Sequence, residues 1–541
     1  MSLTMSSFPG LLSAATGVAL HNLLFRYGEW DNSAPAIIGS YATVFAVLNG
    51  LKLVGLVTQL QDLNIYCLLT CHLLGLTSSI IVYRVYFHRL RNFPGHVLAG
   101  ATSWYANILS AKKLHNFEVV DKLHRQYGDY VRIGPRELSI TDPRALPFIY
   151  GPTSQTTKGP FYDGAQPYIS VHSTRNKKDH ARRRKGWDRA FSSKSLRDYE
   201  ERVSKYAAQL LSVLADNVGQ PIDMSRWFNY YSFDVIGDLT FGKSFDMLIT
   251  GKDAYMLKTL HEQMQSLGPF LHSIWVIPLF KLIPGLNSSY LEYFEWVKKQ
   301  VENRFKNVPE DPDMFMQLET DFNKGKQTTK DKMHFYGEVN TGIVAGSDST
   351  ASTLTNLFYE LAIAPEFTLL LQSEIDTVKE PTYQDLSRMK LLNAAIDETM
   401  RLHPAIPSGM QRLTPQKGVM IDDIYIPGDC LVQIPLYSLF RDERSFVRPN
   451  EFIPQRWIDR LDLVKNSSAY APFGLGPFAC AGKQLALMEI RRITVELLSR
   501  YDISFAKDQT REAFYEGQQD AFTLVCGKLQ LVFTERKSTG G

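Results

Sequence analysis

The chain has 541 residues, a net charge of +3 and 44% hydrophobic residues. It is too apolar and too balanced in charge for a disordered protein, and no charge excess points to a nucleic-acid partner. Five cysteines (67, 71, 430, 480 and 526) are odd in number and sparse for the length, which argues against a disulfide framework and for a reducing compartment.

Three apolar runs come first, at 8–25, 34–58 and 63–83. A bilayer core takes about 20 apolar residues in a helix, so residues 1–92 are expected to form a membrane anchor of two or three transmembrane helices. The first run is the weakest, because His21 and Asn22 interrupt it; the second contains Lys52. The third ends in Arg84, His88, Arg89 and Arg91, a basic flank of the cytosolic kind. No basic segment precedes the first run and the apolar character continues too far for a cleaved signal peptide. Cys67 and Cys71 lack the second pair that zinc spacing requires, so they read as small apolar side chains of the third helix.

Phe93, Pro94 and Gly95 break the helix and lead into one large domain, 93–541. Helical spacing appears at 117–130, 196–218, 223–245, 331–364, 384–402 and 482–501. Leu354, Leu357, Phe358 and Leu361 mark the apolar face of the longest helix. Alternation at 131–142 and short runs at 419–426, 431–434 and 528–533 predict strands. The fold class is mainly α, an α+β fold with small sheets, plus the N-terminal helices.

The segment most telling about chemistry is 471–482, APFGLGPFACAG, where three glycines flank Cys480 before an amphipathic helix. Backbone N–H groups at a helix N-terminus lower a cysteine pKa and suit a thiolate metal ligand. Gly476 and Gly482 are read as places where a side chain would strike a flat macrocycle, and Phe473 as a cover over the sulfur. Taken alone, a buried free cysteine in a glycine-rich turn is the commoner meaning of such a loop.

Phe473, Gly476, Cys480 and Gly482 resemble the cysteine loop of the cytochrome P450 family at every fixed position, and the resemblance runs from about residue 93 to 535. Glu398 and Arg401, at i and i+3 on one helix face, resemble the family's E-x-x-R helix, and Arg456 in FVRPNEFIPQRW completes that network. AGSDST at 345–350 resembles the oxygen-binding segment. Ala345 and Gly346 lack bulk, so the helix is expected to widen over the iron, and Asp348 with Ser349 resembles the acid–alcohol pair that delivers protons. Serine stands where the family usually has threonine, and Thr350 is a second candidate hydroxyl. Phe478 replaces a usual basic residue before the cysteine. His180, Arg184 and Arg412 are therefore expected to pair with the haem propionates. Arg182 and Arg183 read as solvated face, and a reductase is expected to dock on some of Arg182, Arg183, Lys185 and Lys483.

The resemblance implies the P450 fold and a haem-thiolate monooxygenase. Its cofactor would be haem b, iron protoporphyrin IX, with Cys480 as axial metal ligand. It would use O2 and electrons from NADPH through NADPH–cytochrome P450 reductase, with cytochrome b5 a second candidate donor. The catalytic domain would lie in the cytosol on the endoplasmic reticulum membrane, leaving the sequons at Asn287 and Asn466 unmodified. The alternatives are a haem-thiolate isomerase or dehydratase, which tends to lack the acid–alcohol pair, and a non-catalytic haem-binding membrane protein. The multi-span anchor, LFRYGEWD at 24–31 and the cysteine-loop context resemble fungal secondary-metabolism members of the tryprostatin B 6-hydroxylase-like group. The expected partners are membrane lipid and a small organic substrate: a large, mostly apolar natural product of indole-alkaloid or terpenoid type. Its pocket is expected to draw on Phe161, Tyr162, Tyr168, Ile169 and Val171, on the turn Ser408, Gly409 and Met410, on Phe522 and Thr523, and on an apolar segment at 264–280 that dips into the membrane surface.

Overall fold

The computed structural model describes residues 8–536. Three N-terminal helices, Phe8–Phe25, Asp31–Val54 and Ile65–Phe87, are each long and apolar enough to cross a membrane. The first and third run parallel in contact. A Cβ on Gly17 would strike the His72 carbonyl oxygen, and one on Gly75 would strike the Ala14 backbone. Small residues at such a seam let backbones approach, which drives association where lipid removes the hydrophobic force. The polar residues that interrupt the first run lie on the same seam. His21 Nδ1 is 2.8 Å from Ser79 Oγ, and Asn22 donates to the same oxygen. His72 reaches Thr16 and Tyr41, tying all three helices together. Polar groups at membrane depth thus find partners inside the bundle.

The loop between the first two helices is fastened to the main domain. Glu29 pairs with Arg175 at 2.7 Å and Asp31 with Arg136 at 2.9 Å. That loop and the start of the domain therefore lie at the same end of the bundle.

The long helix Thr329–Ile363 runs through the middle of the domain, opened by a capping box of Thr328 and Asp331. Leu354, Leu357, Phe358 and Leu361 are fully buried. The helix packs along Met224–Phe241 and is flanked by Ser288–Lys306, Lys390–Leu402 and Lys483–Leu498. A five-stranded sheet has the order 130–134, 137–140, 431–433, 412–413, 157–158, antiparallel except between 137–140 and 431–433. A three-stranded sheet joins 221–223, 530–535 and 501–505, and hairpins form at 419–426 and 519–525.

Several boundaries differ from expectation. Residues 384–402 are two helices, because Met389 takes an extended conformation between Arg388 and Lys390. The helix expected to reach 501 ends at Leu498, since Tyr501–Phe505 pairs with Gln530–Glu535. The run 419–426 folds back on itself at Asp422, whose φ is +49°.

Candidate active site

Cys480 closes its loop by donating its backbone N–H to Phe473 O at 2.8 Å. Gly474 and Gly476 have φ of +70° and +65°, a region that favours glycine. A Cβ on Gly476 would lie 2.7 Å from Tyr150 O. The loop's seat on Tyr150–Gly151 therefore already demands this glycine. At Gly482 a Cβ would meet only the Phe191 ring at 3.7 Å, an ordinary contact. Burial raises the Cys480 thiol above its usual pKa; the N–H groups of Gly482 and Lys483 and the charges of Arg184 and Lys483 oppose this without overcoming it. Metal coordination would deprotonate this thiol outright.

Arg184 grips the same loop. Its Nη1 donates to Ala479 O at 2.6 Å and its Nε to Asp188 at 2.7 Å. Cys480 is accessible even though burial dominates its thiol, and Ala345 is exposed in mid-helix at the centre of the domain.

The long helix stays α-helical through 345–350, so the expected widening is not seen. A Cβ on Gly346 would lie 2.8 Å from Ile236 Cδ1: the glycine lets helix Met224–Phe241 close in. Asp348 is buried. Its Oδ1 lies 3.1 Å from His261 Nε2 and its Oδ2 has no partner. Ser349 Oγ donates to Ala345 O at 2.9 Å, and the buried Thr350 hydroxyl is unpartnered.

Glu398, Arg401 and Arg456 form one fully buried network. Glu398 accepts from Arg401 Nε and Nη2, from Arg456 Nε, from Trp457 Nε1 and from the Ile453 N–H, at 2.8–3.0 Å. The arginines spend their remaining donors on the carbonyls of Phe440, Pro449, Val447 and Leu463. Buried charges persist only when satisfied in this way.

Around Phe478 the structure collects basic side chains. The His180 ring stands edge-on with centroids 4.6 Å apart, Arg412 Cζ is 5.1 Å from the ring centre and Lys158 Nζ is 4.9 Å from it. Lys158 is buried, donates to the carbonyls of Val171 and His172, and pairs in register with Arg412. Burial, with Arg412 adding to it, holds Lys158 at about 7. Burial and Lys158 push His180 down to about 4 and His172 to about 3. Arg412 Nε is buried without a partner. Among the described residues no carboxylate pairs with Lys158 or Arg412. A buried cluster of basic side chains with no carboxylate partner, beside an accessible cysteine, fits a cofactor bearing two carboxylates, as haem does. Lys158 and His172 escaped the sequence reading, for only the strand pairing brings Lys158 opposite Arg412.

The family model described as cytochrome P450 matches residues 96–533. The chain belongs to the cytochrome P450 family. It is 43% identical over 532 residues to cytochrome P450 monooxygenase FCK2 of Fusarium pseudograminearum, covering 96% of each chain. It is 45% identical over 469 residues to cytochrome P450 monooxygenase orf5 of Eupenicillium brefeldianum, covering 87% of this chain and 96% of that one. A tryprostatin B 6-hydroxylase of Aspergillus fumigatus is 33% identical over 533 residues, covering 96% and 95%. This P450 is thus a monooxygenase of the oxidoreductase class with an N-terminal apolar helical region. Membership implies haem-thiolate chemistry with O2 and NADPH, a reductase partner and a small organic substrate. Bound haem supplies dioxygen activation, which a thiolate ligand favours by donating electron density to iron.

One charge of the P450 is misread in the sequence. Arg183 is buried, 2.7 Å from Asp179 and 2.8 Å from Glu338, with Nη2 on His334. Glu338 also accepts from Trp187 Nε1 and the Val171 N–H. Arg183 therefore ties the basic helix Lys177–Ala190 to the long helix; it is neither solvated nor free to meet a partner. Arg182, Lys185 and Lys483 are exposed.

Two of the expected pocket segments meet at Phe522, whose φ is +81°. Its ring stacks on Phe161 at 5.3 Å and meets His172 edge-on. Tyr162 is buried under Arg412, and Tyr168 stacks on Phe294 at 3.7 Å. Ile169 is half-buried, Val171 belongs to the core, and Thr523 is buried with its hydroxyl unpaired. Ser408 donates to buried Asp520, and Met410 packs on Gly474 of the cysteine loop. Gly409, with φ +78°, lies against the Ile434 carbonyl. The 264–280 segment is half-buried for the most part; the strongly exposed apolar residues follow it, at Leu282, Ile283, Leu286 and Leu291.

Proposed function

We propose that this P450 oxidises a large, mostly apolar natural product of fungal secondary metabolism, of indole-alkaloid or terpenoid type. Cys480 is the axial ligand of haem b in this reading, and Lys158, His180, Arg184 and Arg412 hold its propionates. The observation that carries it is the buried cluster of basic side chains around Phe478 beside accessible Cys480. The substrate class rests on the aromatic contacts of Phe161, Tyr168 and Phe522 and on likeness to an enzyme named for hydroxylating tryprostatin B.

Asp348 is the acid of the oxygen site, with Ser349 and Thr350 as hydroxyls. Its free oxygen and the unpaired Thr350 hydroxyl favour monooxygenation over a peroxide rearrangement that needs no proton supply. Residues 1–92 are the anchor and 93–541 the catalytic domain. Parallel first and third helices, with the 26–33 loop fastened to the domain, suit three spans with the N-terminus across the membrane from the active site. The domain faces the cytosol on the endoplasmic reticulum, where NADPH–cytochrome P450 reductase and cytochrome b5 reach it. The exposed apolar residues at 282–291 rest on lipid.

The test is product analysis after co-expression with a reductase and candidate substrates under isotopically labelled oxygen. Incorporation of one labelled atom with NADPH consumption is expected. Product without NADPH use would instead select the isomerase, and no product with bound haem the non-catalytic reading.

A further inference from the structure

The acid of the oxygen site has an asymmetric environment. One Asp348 oxygen, Oδ1, is 3.1 Å from His261 Nε2, while Oδ2 is buried and unpartnered. Asp348 is almost wholly buried, whereas the His261 side chain is about a quarter exposed, 26%. His261 lies on helix Tyr255–Leu267, which packs outside the long helix against Ser288–Lys306. The pair thus spans the protein wall, with an imidazole at the solvent end and a free carboxylate oxygen at the inner end. A buried oxygen without a partner costs free energy, which is explained if its partner arrives only during turnover.

The electrostatics agree with this geometry. Burial alone would lower the His261 pKa; the hydrogen bond and charge of Asp348, with Asp253 behind them, outweigh it and raise the imidazole above 6.5. The groups facing the pair are few. Asp253 comes from the loop before the histidine's own helix. Tyr293, from Ser288–Lys306, faces Asp348 but gives its hydroxyl hydrogen to Asn340 Oδ1, and burial keeps that phenol protonated. Lys258 and Glu262 are exposed on the same helix as His261 and face each other.

We infer that His261 is the proton-relay residue that recharges Asp348 from solvent. The inference rests on the reading of Asp348 as the acid given above. In the step, the imidazolium loses its Nε2 proton to Asp348 Oδ1, leaving a neutral ring protonated on Nδ1. Rotation of the carboxyl about Cβ–Cγ presents that proton to the oxygen site, where it is released and the carboxylate returns. A half-turn of the ring lets water restore the missing imidazole proton. One proton crosses per relay cycle, and two relay cycles match the two protons of one monooxygenation; the two electrons arrive separately from NADPH through the reductase. His261 touches neither substrate nor cofactor, so it acts through Asp348 as a positioning and relay group.

The test uses the full-length holoenzyme with its reductase in lipid, the two reduced together by NADPH and then mixed with oxygen, so that electron delivery does not limit. Rate, peroxide yield and the effect of replacing H2O by D2O are followed from pH 6 to 9. The carbon-monoxide spectrum of each variant reports the intact haem site. The wild-type rate should fall as pH rises through the raised pKa of the imidazole, where the imidazolium is lost. His261→Gln keeps a hydrogen-bond donor beside Asp348 but carries no proton. It should keep the spectrum, lose about tenfold or more in rate, raise the D2O effect and flatten the pH profile. His261→Lys restores a protonated donor and should recover rate with the fall moved to higher pH; it also serves if the glutamine variant loses haem. A wild-type rate and pH profile in His261→Gln would overturn the inference. Asp348→Asn separates the two readings: if it slows the reaction while His261→Gln does not, only the relay fails. If neither changes the rate, Asp348 itself is not the acid.

Discussion

Lys158 stands directly opposite Arg412 in the ladder of the five-stranded sheet, and the ring of Phe478 lies against both. Like charges facing each other across strands are destabilising, and here both are buried. Burial and Arg412 depress Lys158 to about 7. The lysine is therefore largely neutral above that pH in the protein alone. Propionates beside it would return its pKa toward the usual 10.5. Haem binding should then protonate Lys158 between pH 7 and 10, offsetting the proton that the Cys480 thiol gives up on ligating iron. Titration of haem into the apoprotein in weakly buffered solution measures the net count. Lys158→Met should release close to one proton more than the wild type in that window and should weaken haem retention. Equal proton release by the two proteins would count against the assignment.

The network at Glu398 should be the most sensitive place in the fold. Glu398→Ala leaves Arg401 and Arg456 buried with unmet charge, a loss of about 3–5 kcal/mol by analogy with broken buried pairs. Haem-containing protein should be almost absent in expression trials, whereas exposed Arg460→Ala, which breaks a surface pair, should change little. Equal yields for the two would contradict the structural role.

Packing in the anchor is open to a chemical test. A Cβ on Gly10 would lie 3.3 Å from Cys71 Sγ. Gly10→Cys should cross-link to Cys71 under mild oxidation in membranes, and adding Gly75→Leu, which thrusts a side chain into the Ala14 backbone, should abolish the cross-link. The proposed topology would leave Asn287 and Asn466 in the cytosol. Both should remain unglycosylated, while a sequon engineered into 55–64 should be modified.

At the oxygen site the two hydroxyls differ. Ser349 is partly accessible and returns its hydrogen bond to its own helix, whereas Thr350 is buried and unpaired. Ser349→Ala should raise peroxide release per NADPH consumed several-fold. Thr350→Val, which keeps the shape, should raise it less, because Ser349 remains. Peroxide yields measured beside product separate the two.

Much of the site was legible because its chemistry is local in sequence. Cys480 with its glycines, and Glu398 with Arg401, lie within a few residues of each other, and helical spacing puts the latter pair on one face. What was missed is set by long-range pairing. Lys158 acquires meaning only from the strand that brings it to Arg412, and His261 only from the helix packing that sets it on Asp348, 87 residues away. Arg183 was misjudged because a run of basic residues gives no sign that Glu338 waits on another helix. Glycines were recognised as needed, but at 476 and 346 the close neighbour is the protein's own Gly151 and Ile236. Helix ends at Met389 and Leu498 were blurred because apolar spacing continues past both while tertiary pairing stops the helix.

The most direct test of the account is the carbon-monoxide difference spectrum of the reduced protein, recorded for the wild type beside Cys480→Ser. The wild type should show the red-shifted Soret band of thiolate-ligated haem, and the variant should lack it at equal protein concentration. A thiolate-type band that persists in Cys480→Ser, or its absence from haem-loaded wild-type protein, would contradict the central claim.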